Sequence, residues 1–251
     1  MDNVVCLLLL CIAHLFGDYY FQTEKMVSKK NSGSIVIHVI HALLYFFFVF
    51  WACFWFGEWW ITLLISLAVG IMHFVIDYFK CSLMRKELIS KWRIAIFFID
   101  QIIHIAILIG LSFVFSKFNN FGKQMFVSNY QNLGWSISLE KLLLYIFSFL
   151  FLVQPASVIN KFILAEFFKQ KNDDAKAGAL IGILERLTMY SFCALLSWYA
   201  ILPVVLTAKT FARFERFKDK NDHIFAEKYI VGTLLSTIYV ALCLILGLVI
   251  K

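Results

Sequence analysis

Proline occurs only twice in 251 residues, at Pro155 and Pro203, and only 16% of the chain is charged. A soluble domain is about a quarter charged and about half apolar. This chain is 62% hydrophobic and 18% aromatic, which excludes the ordinary soluble class. Its six cysteines (Cys6, Cys11, Cys53, Cys81, Cys193, Cys243) are scattered through apolar stretches and form no C-x-x-C pair. They read as small buried hydrophobes rather than a disulfide or zinc framework. No H-E-x-x-H occurs, which argues against a zinc protease of that type, and no G-x-x-x-x-G-K-[ST], which excludes a P-loop. No serine stands out beside a paired base. The first residues carry Asp2 but no Lys or Arg, and no small-residue cleavage site follows, so the opening stretch reads as a retained helix and not a signal peptide.

Long apolar runs take the place of charge. They are ~20 residues long and continuous, so they fit membrane-spanning helices and not the ~10-residue alternating strands of a barrel. Spans are expected over Val4–Gln22, Ser34–Phe56, Trp60–Phe79, Ile94–Ser116, Leu139–Ile159, Ala177–Trp198 and Tyr229–Ile250. Pro155 should kink or stop the fifth. Residues 200–217 start apolar and turn basic, and read as a short or half-inserted helix. The fold expected is thus an all-α, polytopic integral membrane bundle of 7–8 segments. Lys117–Ser138, the longest polar stretch, separates a first half, 1–116, from a second, 139–251. Thr23–Gly33 and Lys161–Lys176 read as loops, and Lys80 opens another.

Charge gives the orientation. The loops after segments one, three and five hold 3, 5 and 4 of the 23 Lys and Arg residues, and the end of the short segment with the loop after it, 209–228, holds 6. By the positive-inside rule these loops are cytoplasmic and the N-terminus is outside. Trp51, Trp55, Trp59 and Trp60 form an aromatic belt at the opposite interface. The net charge of +7 reflects this bias and an affinity for anionic headgroups, so no nucleic-acid partner is expected. The lipid bilayer is the expected partner, and the oligomeric state is left open.

Inside this apolar frame lies a recurrent polar pattern. His14 and Asp18 stand at i, i+4, as do His73 and Asp77; Asp100 and His104 repeat the spacing in reverse, and His38 and His41 are at i, i+3. Such spacings put each pair on one helix face. Counted at ~1.5 Å per residue, all eight lie between ~5 and ~16 Å from the cytoplasmic ends. A shift of 59 residues carries His14 to His73, Asp18 to Asp77 and His41 to Asp100, so 59–116 reads as a diverged copy of 1–58. Ionisable groups at that depth must pair or bind something. Imidazole with carboxylate is the ligand set for Zn²⁺, Mn²⁺ or Fe²⁺, one ion or two. An interhelical hydrogen-bond network or a proton path would use the same residues. His223 reads as solvated. In the second half, Glu185, Arg186, Lys209 and Arg213 read either as ion pairs or as a clamp for a phosphate.

The chain resembles a family of bacterial multi-pass membrane proteins, the domain of unknown function numbered 3307. The resemblance rests on His14-Leu15-Phe16-Gly17-Asp18 with Gln22, the His-rich start of segment two, His73-Phe74-Val75-Ile76-Asp77-Tyr78, Asp100 with Gln101 and His104, and Gly182-Ile183-Leu184-Glu185-Arg186. It covers nearly the whole chain and implies a bacterial inner-membrane location, but no activity. The His/Asp layout is more loosely similar to membrane-bound metal-dependent hydrolases of the YdjM type. Three functions stay open. One is a membrane-embedded metal-dependent hydrolase acting on a lipid-linked or anionic substrate such as a phosphate or headgroup, with Asp18, Asp77 and Asp100 as ligands or general base and His14, His38, His41, His73 and His104 as ligands. Another is a divalent-metal or proton-coupled transporter. The last is a non-catalytic membrane scaffold.

Overall fold

A computed structural model describes residues 2–55, 58–85, 92–118, 130, 137–168, 175–212, 214 and 223–250. Among them the regular elements are helices: α1 (Asp2–Leu15), a π-helical turn (Phe16–Tyr20), α2 (Glu24–Asn31), α3 (Ile35–Phe54), α4 (Trp59–Met84), α5 (Arg93–Phe118), α6 (Leu139–Val153), α7 (Pro155–Phe168), α8 (Ala175–Leu196), α9 (Ile201–Ala212) and α10 (His223–Val249). Seven stretches of the described residues are long and apolar enough to cross a membrane: Asn3–Tyr20, Ile35–Phe54, Trp59–Met84, Arg93–Val114, Leu139–Phe168, Gly178–Leu196 and Ala226–Val249. The apolar helix Ile201–Phe211 is shorter. The protein is an all-α, multi-pass membrane bundle.

Periodicity decides which face each helix hides. On α3, Val36, Ile40, Leu43, Phe47 and Trp51 are exposed, whereas His38, His41, Tyr45, Val49 and Cys53 are buried. Both sets recur every three or four residues, so each forms one stripe. The outward stripe is apolar, as lipid requires, and the inward stripe carries the polar groups. The pattern repeats on α4, where Thr62, Ser66, Gly70, His73, Asp77 and Cys81 are buried.

The chain forms two compact units, Met1–Phe147 and Ser148–Lys251, divided within α6. In the first, α1 packs on α3 and α5, and α4 packs on the same two, which closes a four-helix ring. The 59-residue shift maps α1 onto α4 and α3 onto α5, the diagonal pairs of this ring. In the second, α10 packs on α7 and α8, and α9 on α8.

Close approach of α3 and α4 depends on Gly70. A Cβ there would lie 3.2 Å from Phe46 Cβ and 3.5 Å from the Ala42 carbonyl oxygen. Small residues permit such backbone proximity in membrane bundles. Gly70→Leu is expected to cost about 1–3 kcal/mol through forced separation of the helices, read as a lower unfolding midpoint in detergent.

Three loop expectations are corrected. Thr23–Gly33 contains α2, because both ends are capped. Thr23 Oγ1 accepts from Met26 N at 3.2 Å, and Glu24 sits in the first turn. At the other end Gly33 adopts φ +95°, with Gly33 N donating to Lys30 O (2.9 Å) and Ser34 N to Lys29 O (3.1 Å). This is the glycine-terminated helix stop. Lys80 lies within α4, which continues to Met84. Lys161 lies within α7, which runs on to Phe168 because Phe162, Ile163, Leu164, Phe167 and Phe168 keep it apolar. The helix does break at Gln154, where Pro155 lacks the N–H that would continue it. Most of Lys117–Ser138, together with Lys86, Lys91 and Arg213 and the side chain of His223, lies outside the described residues.

Candidate metal centre

Three helical elements of the first unit converge on one point. Asp18 comes from the π-helical turn after α1, His41 from α3 and His73 from α4. Asp18 Oδ1 is 3.3 Å from His41 Nε2 and 3.3 Å from His73 Nε2, and the two Nε2 atoms are 2.9 Å apart. Ligands about 2.1 Å from a tetrahedral centre are separated by about 3.4 Å. The triangle is therefore close to one face of such a tetrahedron. Two imidazoles and one carboxylate are also the facial triad of non-haem iron sites. The three side chains are at least nine-tenths buried. The wider π turn re-aims Asp18 away from His14, whose Nδ1 is 3.8 Å from its Oδ2.

For both Nε2 atoms to ligate, His41 and His73 must carry their protons on Nδ1. Those Nδ1 atoms are buried and have no hydrogen-bond partner. Metal-bound histidines usually donate that proton, and losing the bond weakens binding about 10–100-fold. The geometry thus fits an ion held firmly enough to be positioned yet removable by a chelator.

The surrounding residues fix the rings. Tyr45 stacks on His73 with centroids 3.9 Å apart. His14 Nε2 donates to Gln101 Oε1 (3.3 Å), which leaves His14 Nδ1 to accept from Tyr45 Oη (3.1 Å). Tyr19 Oη also donates to Gln101 Oε1, at 2.8 Å. Both nitrogens of His14 are engaged by these bonds. His104 Nδ1 donates to the Asp100 carbonyl at 2.8 Å, so its buried Nε2 presents a lone pair beside the His73 ring. Gly17 makes room for Tyr45, since a Cβ on it would meet the Tyr45 ring at 2.7 Å. Gly17→Ala should displace the ring that supports His73 and weaken metal binding about 10–100-fold, measured by competition with a chromophoric chelator.

A second group, His38, Asp77 and Cys81, also brings ligand atoms within 4.8 Å of one another. It is already filled by cations. Lys30 Nζ is 2.6 Å from Asp77 Oδ2, and Lys80 Nζ is 2.8 Å from Oδ1 and 3.1 Å from Asp100 Oδ2. His38 Nδ1 donates to Asp77 Oδ2 at 3.1 Å. A metal ion there would be repelled by two ammonium groups. Lys30 reaches in from α2 and is 1% exposed. Burial lowers its proton affinity from the ordinary value, and the Asp77 carboxylate opposes that shift.

Of the eight His and Asp residues read from the sequence, Asp18, His41 and His73 thus share one ligand point, and Asp77, Asp100 and His38 form a lysine-bridged network next to it. Sequence reasoning missed Lys30, Lys80, Tyr45, Gln101 and Cys81. Lys80 stood at i+3 from Asp77, and Tyr45 at i+4 from His41, so their faces were readable. Among the second-unit residues, Glu185 Oε2 binds Lys209 Nζ at 2.6 Å. Arg186 does not join this pair. Its Nε, Nη1 and Nη2 donate to Leu152 O (2.8 Å), Ser236 Oγ (3.3 Å) and Ser157 Oγ (2.6 Å).

No curated protein and no solved structure matches the chain. One family does, described as protein of unknown function DUF3307, over residues 6–132, just over half of the chain. That match contains every member of the His/Asp cluster and stops short of Glu185 and Arg186. The chain belongs to the DUF3307 family.

Proposed function

We propose that the protein is a metal-dependent hydrolase embedded in the bacterial inner membrane, acting on an anionic, lipid-linked substrate at the cytoplasmic face. The observation that carries this reading is the Asp18–His41–His73 triangle, three potential ligand atoms within reach of one ion. Three protein ligands characterise catalytic zinc sites, whereas structural sites use four. A bound divalent ion would supply Lewis acidity and a more acidic water.

Charge supports an anionic substrate. Asp18, Asp77 and Asp100 with Lys30 and Lys80 leave one formal negative charge when the imidazoles are neutral. A divalent ion reverses this to one positive charge, in a setting where unbalanced charge is costly. Asp100 is the proton acceptor in this scheme, because its Oδ1 has no hydrogen-bond partner, whereas both oxygens of Asp77 are held by lysines. Lys30 and Lys80 bridge Asp77 and, through Lys80, Asp100. Their position on the side rich in Lys and Arg supports a cytoplasmic-face site by the positive-inside rule.

The test is purified protein in vesicles of phosphatidic acid, phosphatidylglycerol and cardiolipin, with lipids followed by mass spectrometry. Wild-type protein should consume an anionic lipid, lose that activity on chelation and regain it with zinc or manganese. Asp100→Asn should slow it at least about 100-fold. Lipid turnover that survives chelation, or the absence of any turnover, contradicts the reading.

Transport is the second reading. Thr62 and Ser66 are fully buried hydroxyls without partners, on the same face of α4 as His73, and they extend the polar seam toward the other end of the bundle. Zinc uptake into sealed vesicles that depends on His73, with the lipids intact, would favour it.

A further inference from the structure

Among the described residues of the second unit, Arg186 is a buried cation with no ion pair. Arg186 is 2% exposed and lies eight residues into the span Gly178–Leu196, ~12 Å from its end and near mid-membrane. Among the described residues no carboxylate lies within ion-pair distance of it. The adjoining Glu185 is held by Lys209 instead. An arginine at this depth is expensive and marks a site where it meets a partner.

The partners it has are neutral. Leu152 and Ser157, two of its acceptors, flank the helix break at Pro155. One donor suffices for the Leu152 carbonyl, and Ser157 Oγ also donates to Val153 O at 2.6 Å. Three of the five guanidinium N–H groups are thus engaged and two are spare. Gly182 keeps the space beside Nη1 clear, for a Cβ there would sit 3.3 Å from it.

More donors gather on α10. Ser236 Oγ receives both Arg186 Nη1 and Asn160 Nδ2 (3.5 Å), so its own hydrogen points elsewhere. Thr233 Oγ1 and Tyr239 Oη, three residues to either side, are buried without hydrogen-bond partners. One acceptor, Asn160 Oδ1, is also buried without a partner. A guanidinium, several hydroxyl donors and a single acceptor complement an oxyanion that itself carries one proton. Inorganic phosphate keeps a P–OH group in both of its forms near neutral pH, and a phosphomonoester has one in its monoanion, below a second pKa of about 6; sulfate has none, and a carboxylate offers only acceptors. Broken helices near mid-membrane are where transporters place their sites.

We propose that Arg186, Ser236, Tyr239 and Asn160 form a buried site for a phosphate group, supplied as inorganic phosphate or as a phosphomonoester. None of these residues belongs to the Asp18–His41–His73 group.

The test is equilibrium dialysis of the purified full-length protein against radiolabelled inorganic phosphate and, separately, radiolabelled glycerol phosphate, with sulfate and acetate as competitors. At least one phosphate probe should bind at one per chain, and sulfate and acetate should compete at least tenfold less well. Preference between the two probes identifies the source. Arg186→Gln should lose binding more than tenfold with its metal content unchanged. If that variant elutes as aggregate, Tyr239→Phe and Asn160→Ala decide, each expected to weaken binding several-fold. Failure of both probes to bind wild-type protein overturns the proposal. So does equal competition by sulfate, or undiminished binding by the folded variants.

Discussion

Asp77→Ala is expected to lower the stability of the protein by about 3–5 kcal/mol, the cost of leaving buried charge unpaired. Asp77 is 3% exposed and binds two ammonium groups at once, Lys30 at 2.6 Å and Lys80 at 2.8 Å. Its removal strands Lys30, which is 1% exposed, with Gln22 Oε1 at 3.2 Å as its remaining hydrogen bond among the described residues. Lys80 would retain Asp100. The seven tryptophans give an intrinsic signal for thermal unfolding in detergent, and the midpoint should fall on the order of 10 °C. The effect belongs to the broken pair and not to a need for ions as such. A double variant with leucine at Lys30 and Asp77, which leaves Lys80 paired with Asp100, should therefore recover most of the loss, as buried ion pairs replaced by apolar groups generally do. A midpoint for Asp77→Ala within about 2 °C of wild type would mean that α2 does not insert Lys30 into the bundle.

The second large effect separates ligands from their supports. Asp18→Asn, His41→Ala and His73→Ala should each take bound metal from about one ion per chain to near zero, because each removes one of only three ligands. His38→Ala should leave the ion count unchanged, since His38 Nδ1 serves Asp77 and the lysines stand between that carboxylate and any ion. His14→Ala should fall between, with weaker binding but a normal count at saturating metal, because it acts through Tyr45. The contrast matters because these histidines look equivalent along the chain. Loss of metal in His38→Ala with retention in His41→Ala would move the site to the Asp77 group.

Much of this arrangement was legible in the chain. Apolar runs gave the spans, and the i, i+4 spacing of His73 and Asp77 put both on the inward face of α4, where they are found. Pro155 marked its own break. Which of eight residues meet could not be read, because spacing assigns a side chain to a face of its own helix and not to a rotation against the neighbouring ones. The π turn adds to this: it changes the pitch under Asp18 without a sequence signal beyond Gly17. The α2 helix was readable, since Thr23 and Gly33 are start and stop residues ten apart, but eight mostly polar residues between two spans resemble a loop. That Lys30 would leave solvent for Asp77 is a tertiary fact, decided by a carboxylate 47 positions away. In the second half, ion pairs and a phosphate clamp were both open readings; Glu185 pairs with Lys209, and Arg186 does not join them. As the next residue after Glu185 it points about 100° around α8, toward α7 and α10 instead.

The most direct measurement is X-ray absorption spectroscopy of the purified protein loaded with zinc. The expected spectrum shows two imidazole nitrogens and a carboxylate oxygen at about 2.0–2.1 Å, with light atoms completing the shell. Asp18→Asn should lose that shell. A sulfur scatterer at about 2.3 Å would place the ion on Cys81 in the His38–Asp77 group, and a shell without imidazole would remove the Asp18–His41–His73 centre altogether.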